Sequence, residues 1–473
     1  MEDGRGAGEE ATKMMKWMSG LILGVGLLGI ASMVHADLND LLDKFHPYIS
    51  VQEEYSSNIN LSNSILDPGI KKTDDFITTI SPGVRFSTLP RLEETLPPGF
   101  DIPTPPRLET IRQIPEPPTV TEKYGIDLDY RLGLVFYAKE EDNNYVRQEG
   151  TLNTWYTVGG NLTFSVREYL IRSEEPRERE FTAGALPDQF LLGTQRERAV
   201  YFRNVFEPSV EYRFGAEDRI TMSYRNNYYD NQSRLFPDSR EDFINPKLTY
   251  WFNIKNGVFM EYGLLFGDFE QSPDLLGHAP RARYIHRIDP RTSLFGEYIF
   301  LDRNFESPGI DYHVNAPSLG IEHVLSPTTY GRAQLGYFWQ DPGRGSRMTG
   351  PLYDILLVKR AEKTTYLLSF NGGFREDFFT AENLGFAKYH RGIGTVTHRL
   401  KQRLLLAVSG TAERARFADS RTDWIWGVRG GVTYQILKWL NATLETGYRE
   451  DHSNNDVFDY SEYRGIFRIT ATF

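Results

Sequence analysis

Charged side chains recur at alternate positions along several stretches of this 473-residue chain, with apolar side chains between them. Tyr124, Ile126, Leu128, Tyr130, Leu132, Leu134 and Phe136 alternate with Gly125, Asp127, Asp129, Arg131 and Gly133. Glu211, Arg213, Arg225, Arg375, Arg429, Glu445, Arg464 and Arg468 fall on the polar side of comparable stretches. Carboxylates and guanidiniums placed this way can pair across neighbouring segments. Where they border water they can also bind the hydroxyls or carboxylates of a passing solute. They can equally satisfy one another and stiffen a wall. Tyr137, Tyr229 and Phe338 could offer ring faces on the same side, or be covered by a loop or an interfacial belt.

Covalent chemistry has little to build on. There is no Cys, which excludes disulfides, thiolate metal sites and a Cys nucleophile. The nine His are scattered, with no H-E-x-x-H motif and no G-x-S-x-G elbow. His278 and His286 lie eight apart on one expected strand, 277–290, and so share a face. They read as two solvated residues of the polar side. No phosphate-cradling glycine loop is followed by Lys and a hydroxyl residue, and the glycines of 343–350 read as an external loop. Neither a catalytic set nor a cofactor is expected. A net charge of -11 argues against nucleic-acid binding.

The elements that carry these residues must have a side-chain period of two, and hence be strands with different surroundings on their two faces. The run 124–136 is longer than the five or six residues usual in soluble proteins and fits the 9–11 of a tilted membrane strand. Further runs follow the pattern. Trp424, Trp426, Val428, Val432, Tyr434 and Ile436 face away from Arg429 and Thr433. Leu440, Ala442, Leu444 and Tyr448 face away from Glu445 and Arg449. Tyr366, Leu368, Phe370 and Phe374 face away from Ser369, Asn371 and Arg375. Mean hydropathy is -0.46, which excludes a bundle of membrane helices. The 27 Tyr and 30 Phe suit two interfacial girdles.

Tight turns at 215–218, 255–256, 290–292, 327–329, 361–363, 401–403 and 438–439 alternate with longer polar links such as 231–242 and 452–456. The expectation is an all-β fold, a single antiparallel transmembrane β-barrel of about 18–20 strands. The range depends on whether residues 166–168 form a turn. An even strand number puts both termini on the periplasmic side.

Lys13 and Lys16 precede the apolar run LILGVGLLGI at 21–30, and Val34-His35-Ala36 follows. This reads as a signal peptide, residues 1–36, cleaved near Ala36. The barrel then occupies 37–473. At the other end Phe467, Ile469, Ala471 and Phe473 share a face opposite Arg464, Arg468, Thr470 and Thr472. A last strand ending in an aromatic residue resembles the signal read by the barrel assembly machinery, so Phe473 is the expected assembly signal. These features point to the outer membrane of a Gram-negative bacterium, with its lipid and that machinery as partners. Two segments break the rhythm. Residues 88–121 hold nine prolines and lie on the periplasmic side by parity, as a stiff insertion or an arm for an export partner. Residues 174–198 are highly charged and lie outside, on the rim or folded into the pore.

Several stretches together resemble the beta-barrel porin 2 family. They are PYISVQEEYSSNIN at 47–60, DDFITTISPGVRF at 74–86, SLGIEHVLSP at 318–327 with Leu335-Gly-Tyr337, and WLNATLETGY at 439–448 with Ser453-Asn454. The insertion at 88–121 departs from the family pattern. Members often accompany exopolysaccharide export, so the resemblance implies a porin-like channel for exopolysaccharide or polar solutes. A barrel that anchors or sheathes a periplasmic or electron-transfer partner is a second reading. An outer-membrane hydrolase is a third, and would need inward Ser and His to converge.

Overall fold

The computed structural model describes residues 44–62, 72–88, 123–174, 200–232, 237–379 and 385–473. The segments 1–36, 89–121 and 175–198 lie outside these residues. The chain divides into Met1–His46 and Pro47–Phe473. Of the first, only 44–46 are described, with Phe45 and His46 opening a strand. The second is a barrel.

Twenty strands make one sheet. They are β1 (Phe45–Ser56), β2 (Asp75–Ser87), β3 (Tyr124–Tyr137), β4 (Tyr145–Val158), β5 (Leu162–Ser173), β6 (Tyr201–Arg213), β7 (Arg219–Asn231), β8 (Ser239–Trp251), β9 (Asn256–Phe269) and β10 (Leu275–Asp289). They continue as β11 (Thr292–Phe305), β12 (Tyr312–Ser326), β13 (Thr329–Pro342), β14 (Met348–Arg360), β15 (Thr364–Asp377), β16 (Gly385–Lys401), β17 (Leu404–Phe417), β18 (Thr422–Leu437), β19 (Leu440–Ser453) and β20 (Tyr460–Thr472). Each pairs with its sequence neighbour, and β1 pairs antiparallel with β20, from Tyr48 opposite Thr472 to Ser56 opposite Arg464. The sheet is therefore closed.

Closure follows from the sequence pattern. Leu128, Leu134 and Phe136 are exposed on one face of β3, while Gly133, Val135 and Tyr137 on the other are buried. The same alternation runs round the sheet, so the exposed apolar face is the exterior. Aromatic rings ring it at two heights. Near the short turns Tyr212, Phe214, Tyr250 and Phe252 form a chain with centroids 6.4, 6.4 and 5.2 Å apart. Near the long loops Trp426, Tyr448 and Tyr463 do the same at 5.0 and 4.5 Å. Such paired girdles mark the two interfaces of a bilayer. Among the described residues no helix could cross a membrane, and the strands do the crossing.

Some boundaries differ from expectation. Residues 166–168 lie inside β5, and the turn falls at Gly159-Gly160, with φ of +61° and +82°. Valine and arginine at 166–167 keep the two-residue period, whereas glycine alone enters the left-handed region freely. The loops expected at 231–242, 343–350 and 452–456 are shorter at one end or shifted, because β8 begins at Ser239, β14 at Met348, and β19 runs to Ser453. At the long-loop end Asp75 accepts the backbone N–H groups of Ala138, Lys139 and Glu140 at 3.1, 2.9 and 3.0 Å. Lys139 Nζ donates to Asp74 at 2.6 Å, which holds the Asp74 carboxyl below the usual range.

Candidate functional site: the lumen wall

The inner face is a net of ion pairs and hydrogen bonds, most of them between strands. Arg85 of β2 donates to Asp127 of β3 from Nε and Nη2 at 3.2 and 3.3 Å. The Tyr48 hydroxyl donates to Asp129 at 2.9 Å. Arg131 pairs with Glu149 on β4, and Arg213 Nε donates to Glu211 at 2.7 Å. Arg225 pairs with Glu241. Arg464 grips Glu54 across the closing seam from Nε and Nη2 at 2.8 and 2.7 Å. Arg468 reaches Gln52 at 2.9 and 2.6 Å and lies 4.0 Å from Glu445. Arg429 stands on β18 opposite Ser409 and Gly447.

Other members of the net had a readable signal. Arg281 and Arg283 both bind Glu297, at 2.8 and 2.7 Å, and Arg332 binds Asp354 at 2.6 Å. The spacing Arg281-Ala-Arg283 is itself a period of two. Pro280 and the two histidines obscured it. Arg167 pairs with Glu207 inside the stretch that was read as a turn.

The histidines are a correction. His278 and His286 share a face, but it is the outer one, with Leu276, Tyr284 and Ile288; Arg281 and Arg283 point the other way. His278 meets the Tyr262 hydroxyl at 2.7 Å and His286 meets Asn256 at 2.8 Å, each near an end of the strand. The histidines of β12, β16 and β19 likewise alternate with inward residues. A lumen pairing of Ser with these histidines is therefore not formed. Tyr137, Tyr229 and Phe338 are buried in apolar clusters, and offer no open ring face.

One element leaves the wall. β14 pairs with β15 only from Tyr353 opposite Gly372 to Arg360 opposite Thr365. Beyond that point β15 keeps pairing with β16, up to Asp377 opposite Gly385, and β16 stays on β17 from Ala387. The β15–β16 hairpin thus peels from β14 and folds inward. Two glycines sit where it departs. A Cβ at Gly372 would lie 2.6 Å from the Tyr353 ring, and one at Gly373 would lie 2.7 Å from Leu352.

The hairpin carries its outer face onto the inner face of β9 and β11–β13. Phe374 packs on Phe338, centroids 5.2 Å apart, and so does not join Tyr366, Leu368 and Phe370 on the exterior as its spacing suggested. Phe378 packs on Phe305 at 5.5 Å and Phe379 stacks on Phe269 at 5.2 Å. Glu376 accepts from Arg303 Nη2 and from the Tyr312 hydroxyl, both at 2.6 Å. The other face meets β17 and β18. Ala387 packs with Ala415, Phe417 and Ile425, and Arg375 donates to Glu413 at 2.9 Å. Consecutive Phe386 and Ala387 are 4% and 0% exposed, so both faces of the hairpin are covered. Alternation cannot produce that in a wall strand.

A closed antiparallel barrel, apolar and girdled outside and charged inside, is the architecture of porin-like β-barrels of the Gram-negative outer membrane. Residues 279–473, from β10 to β20, match the family model described as Putative beta-barrel porin 2. The resemblance read from the sequence is borne out over these residues; the motifs at 47–60 and 74–86 lie outside them. No curated protein matches the chain. Among solved structures, Acinetobacter baumannii OccAB4 is 10% identical, with 91% of this chain and 98% of that one covered, at a TM-score of 0.40. Pseudomonas aeruginosa OpdK, solved with vanillate, is 10% identical over 91% and 99%, at 0.41. The siderophore receptor PirA of the same organism is 9% identical over 91% and 80%, at 0.45.

Proposed function

We propose that the protein is a passive channel that lets polar solutes cross the outer membrane through the barrel lumen. The carrying observation is the contrast between the two faces of one sheet: exposed apolar residues outside and a charged, hydrogen-bonding wall inside. Charged side chains cost about 2–4 kcal/mol at mid-bilayer, so the mid-strand pairs Arg131–Glu149 and Arg281–Glu297 on the inner face support a wet interior. The mechanism is diffusion along that wall, with no covalent step. Planar-bilayer conductance of the refolded barrel tests it. Discrete ohmic steps support the reading, and a silent bilayer with folded protein present overturns it.

Export of exopolysaccharide is the narrower reading, and rests on the family resemblance alone. Current block by polysaccharide fragments added on the periplasmic side would support it. Block by monosaccharides at equal sugar concentration would leave only the broader channel. Three further elements belong to the same proposal. The leader 1–36 directs export, tested by the N-terminus of the mature chain. Phe473 engages the assembly machinery. Residues 88–121 dock an export partner, tested by deleting them and asking whether a cross-linked partner is lost.

A further inference from the structure

We infer that the lumen selects anionic solutes bearing carboxylates, along an arc of guanidiniums on β20 and β2–β6. This rests on the channel reading above. The first observation is how each inner-wall pair is layered. Side-chain exposure is 40% for Arg85 against 25% for Asp127, 56% for Arg167 against 12% for Glu207, and 40% for Arg464 against 4% for Glu54. Arg131 and Arg213 are also more exposed than their acids. The carboxylate lies beneath, and the guanidinium faces the water. A solute sliding along this arc meets cationic N–H donors first.

The second observation is the inserted hairpin. Its apolar packing and the Glu376 latch occupy the loop-side interior along β9–β13, and its other face occupies that along β17–β18. On that side Arg283, Arg303 and Arg391 are themselves buried, and Arg281, though a third exposed, is held between Glu261 and Glu297. The more exposed guanidiniums named above lie on the arc from β20 to β6, away from that insertion. The open guanidiniums there stand at different depths. Arg213 ends β6 at the short-turn side, Arg131 is seven residues into β3, and Arg464 is four residues from the long-loop end of β20. Counted from the short-turn ends of their strands, Arg85 is two residues up, Arg167 five, Arg131 seven and Arg464 eight. At about 3.3 Å of rise per residue, the successive steps in depth above Arg213 are about 10 Å or less, short enough for a carboxylate to be handed from one to the next.

Arginine suits this role because its fork can release one edge to a solute while the other stays on its wall partner. The electrostatic consequence is local. The whole chain is acidic at -11, yet the exposed groups on this arc are cationic.

The test is the reversal potential of the channel in a potassium chloride gradient, repeated with potassium glucuronate and with Arg131→Gln, Arg167→Gln and Arg464→Gln, singly and together. The parent should prefer chloride over potassium and should pass glucuronate faster than glucose in liposome swelling. The triple variant should lose most of the preference, by several-fold in permeability ratio, while Glu207→Gln should raise it. Heat-modifiable gel mobility checks that each variant is folded. A conducting parent that prefers potassium, or a folded triple variant with unchanged ratio, overturns the inference and leaves the channel reading intact. Absence of any conductance overturns the channel reading, and this inference with it.

Discussion

Replacing Glu376 by Gln should release the inserted hairpin. Arg303 and Glu376 are 6% and 16% exposed, so their pair is shielded from water. Arg303 Nη1 also donates to the carbonyls of His278 and Asp302, at 3.1 and 3.2 Å, so the guanidinium stays in place when its partner changes. Removing one member of a buried pair costs about 3–5 kcal/mol because the other charge is stranded. A glutamine oxygen still accepts from Arg303 or Tyr312, which recovers part of that, and about 2 kcal/mol is a fair net loss. At 1.4 kcal/mol per decade this shifts the docked-to-undocked ratio roughly 30-fold. Amide exchange at 374–377 and 386–388 should quicken by that order, while 364–371 stays protected by pairing to β14. Single-channel traces should show new transitions to a larger conductance. Unchanged exchange at 374–388 together with an unchanged trace would refute the latch.

A disulfide between Phe269→Cys and Phe379→Cys should pin the tip and suppress those transitions in the Glu376→Gln background, reversibly on reduction; the chain has no other Cys to interfere. At Gly125 a Cβ would lie 2.0 Å from the Trp155 ring, so Gly125→Val should destabilise the barrel by about 1–3 kcal/mol, read as a lower temperature in heat-modifiability gels. The tether between Asp74 and Lys139 contributes where Asp74 is ionised, since its folded pKa is lowered; the contribution is present above the ordinary value of about 4 and fades as pH falls through the lowered one. Asp74→Asn should therefore loosen amides 138–144 at pH 7, and the parent should show the same loosening only in stronger acid. Phe473→Ala should lower the assembled yield in cells and leave refolding in detergent nearly unchanged.

Strands were legible because lipid and water impose opposite demands at a spacing of two residues. The run from Tyr124 to Phe136 coincides with β3 to within one residue. The β4–β5 turn was misread because Val166-Arg-Glu168 has turn-like polarity, whereas the backbone needed Gly159-Gly160. The hairpin was not legible. Phe374 follows Tyr366, Leu368 and Phe370 in register, and nothing local says that the surface it meets is Phe338 instead of lipid. That depends on β14 ending its pairing at Tyr353, a property of two strands at once. The outward histidines were missed for a related reason. Near the girdles the exterior tolerates polar rings, so polarity alone does not assign a face there.

The seam between β1 and β20 has a consequence for how the molecule is made. Glu54 and Arg464 are 410 residues apart, and the other strand pairings join immediate neighbours across a turn or loop. By chain statistics, bringing such distant ends together costs roughly 5 kcal/mol, far more than closing a short hairpin. Until it happens, β1 and β20 are bare edges, which hydrocarbon does not tolerate. The circle should therefore be completed last, at the moment of insertion, with the Phe473 N–H bonding to the Pro47 carbonyl at 2.8 Å as one of its final fasteners. Birth of the barrel is then a single ring-closing event, and its rate should depend on whatever keeps the two ends near each other.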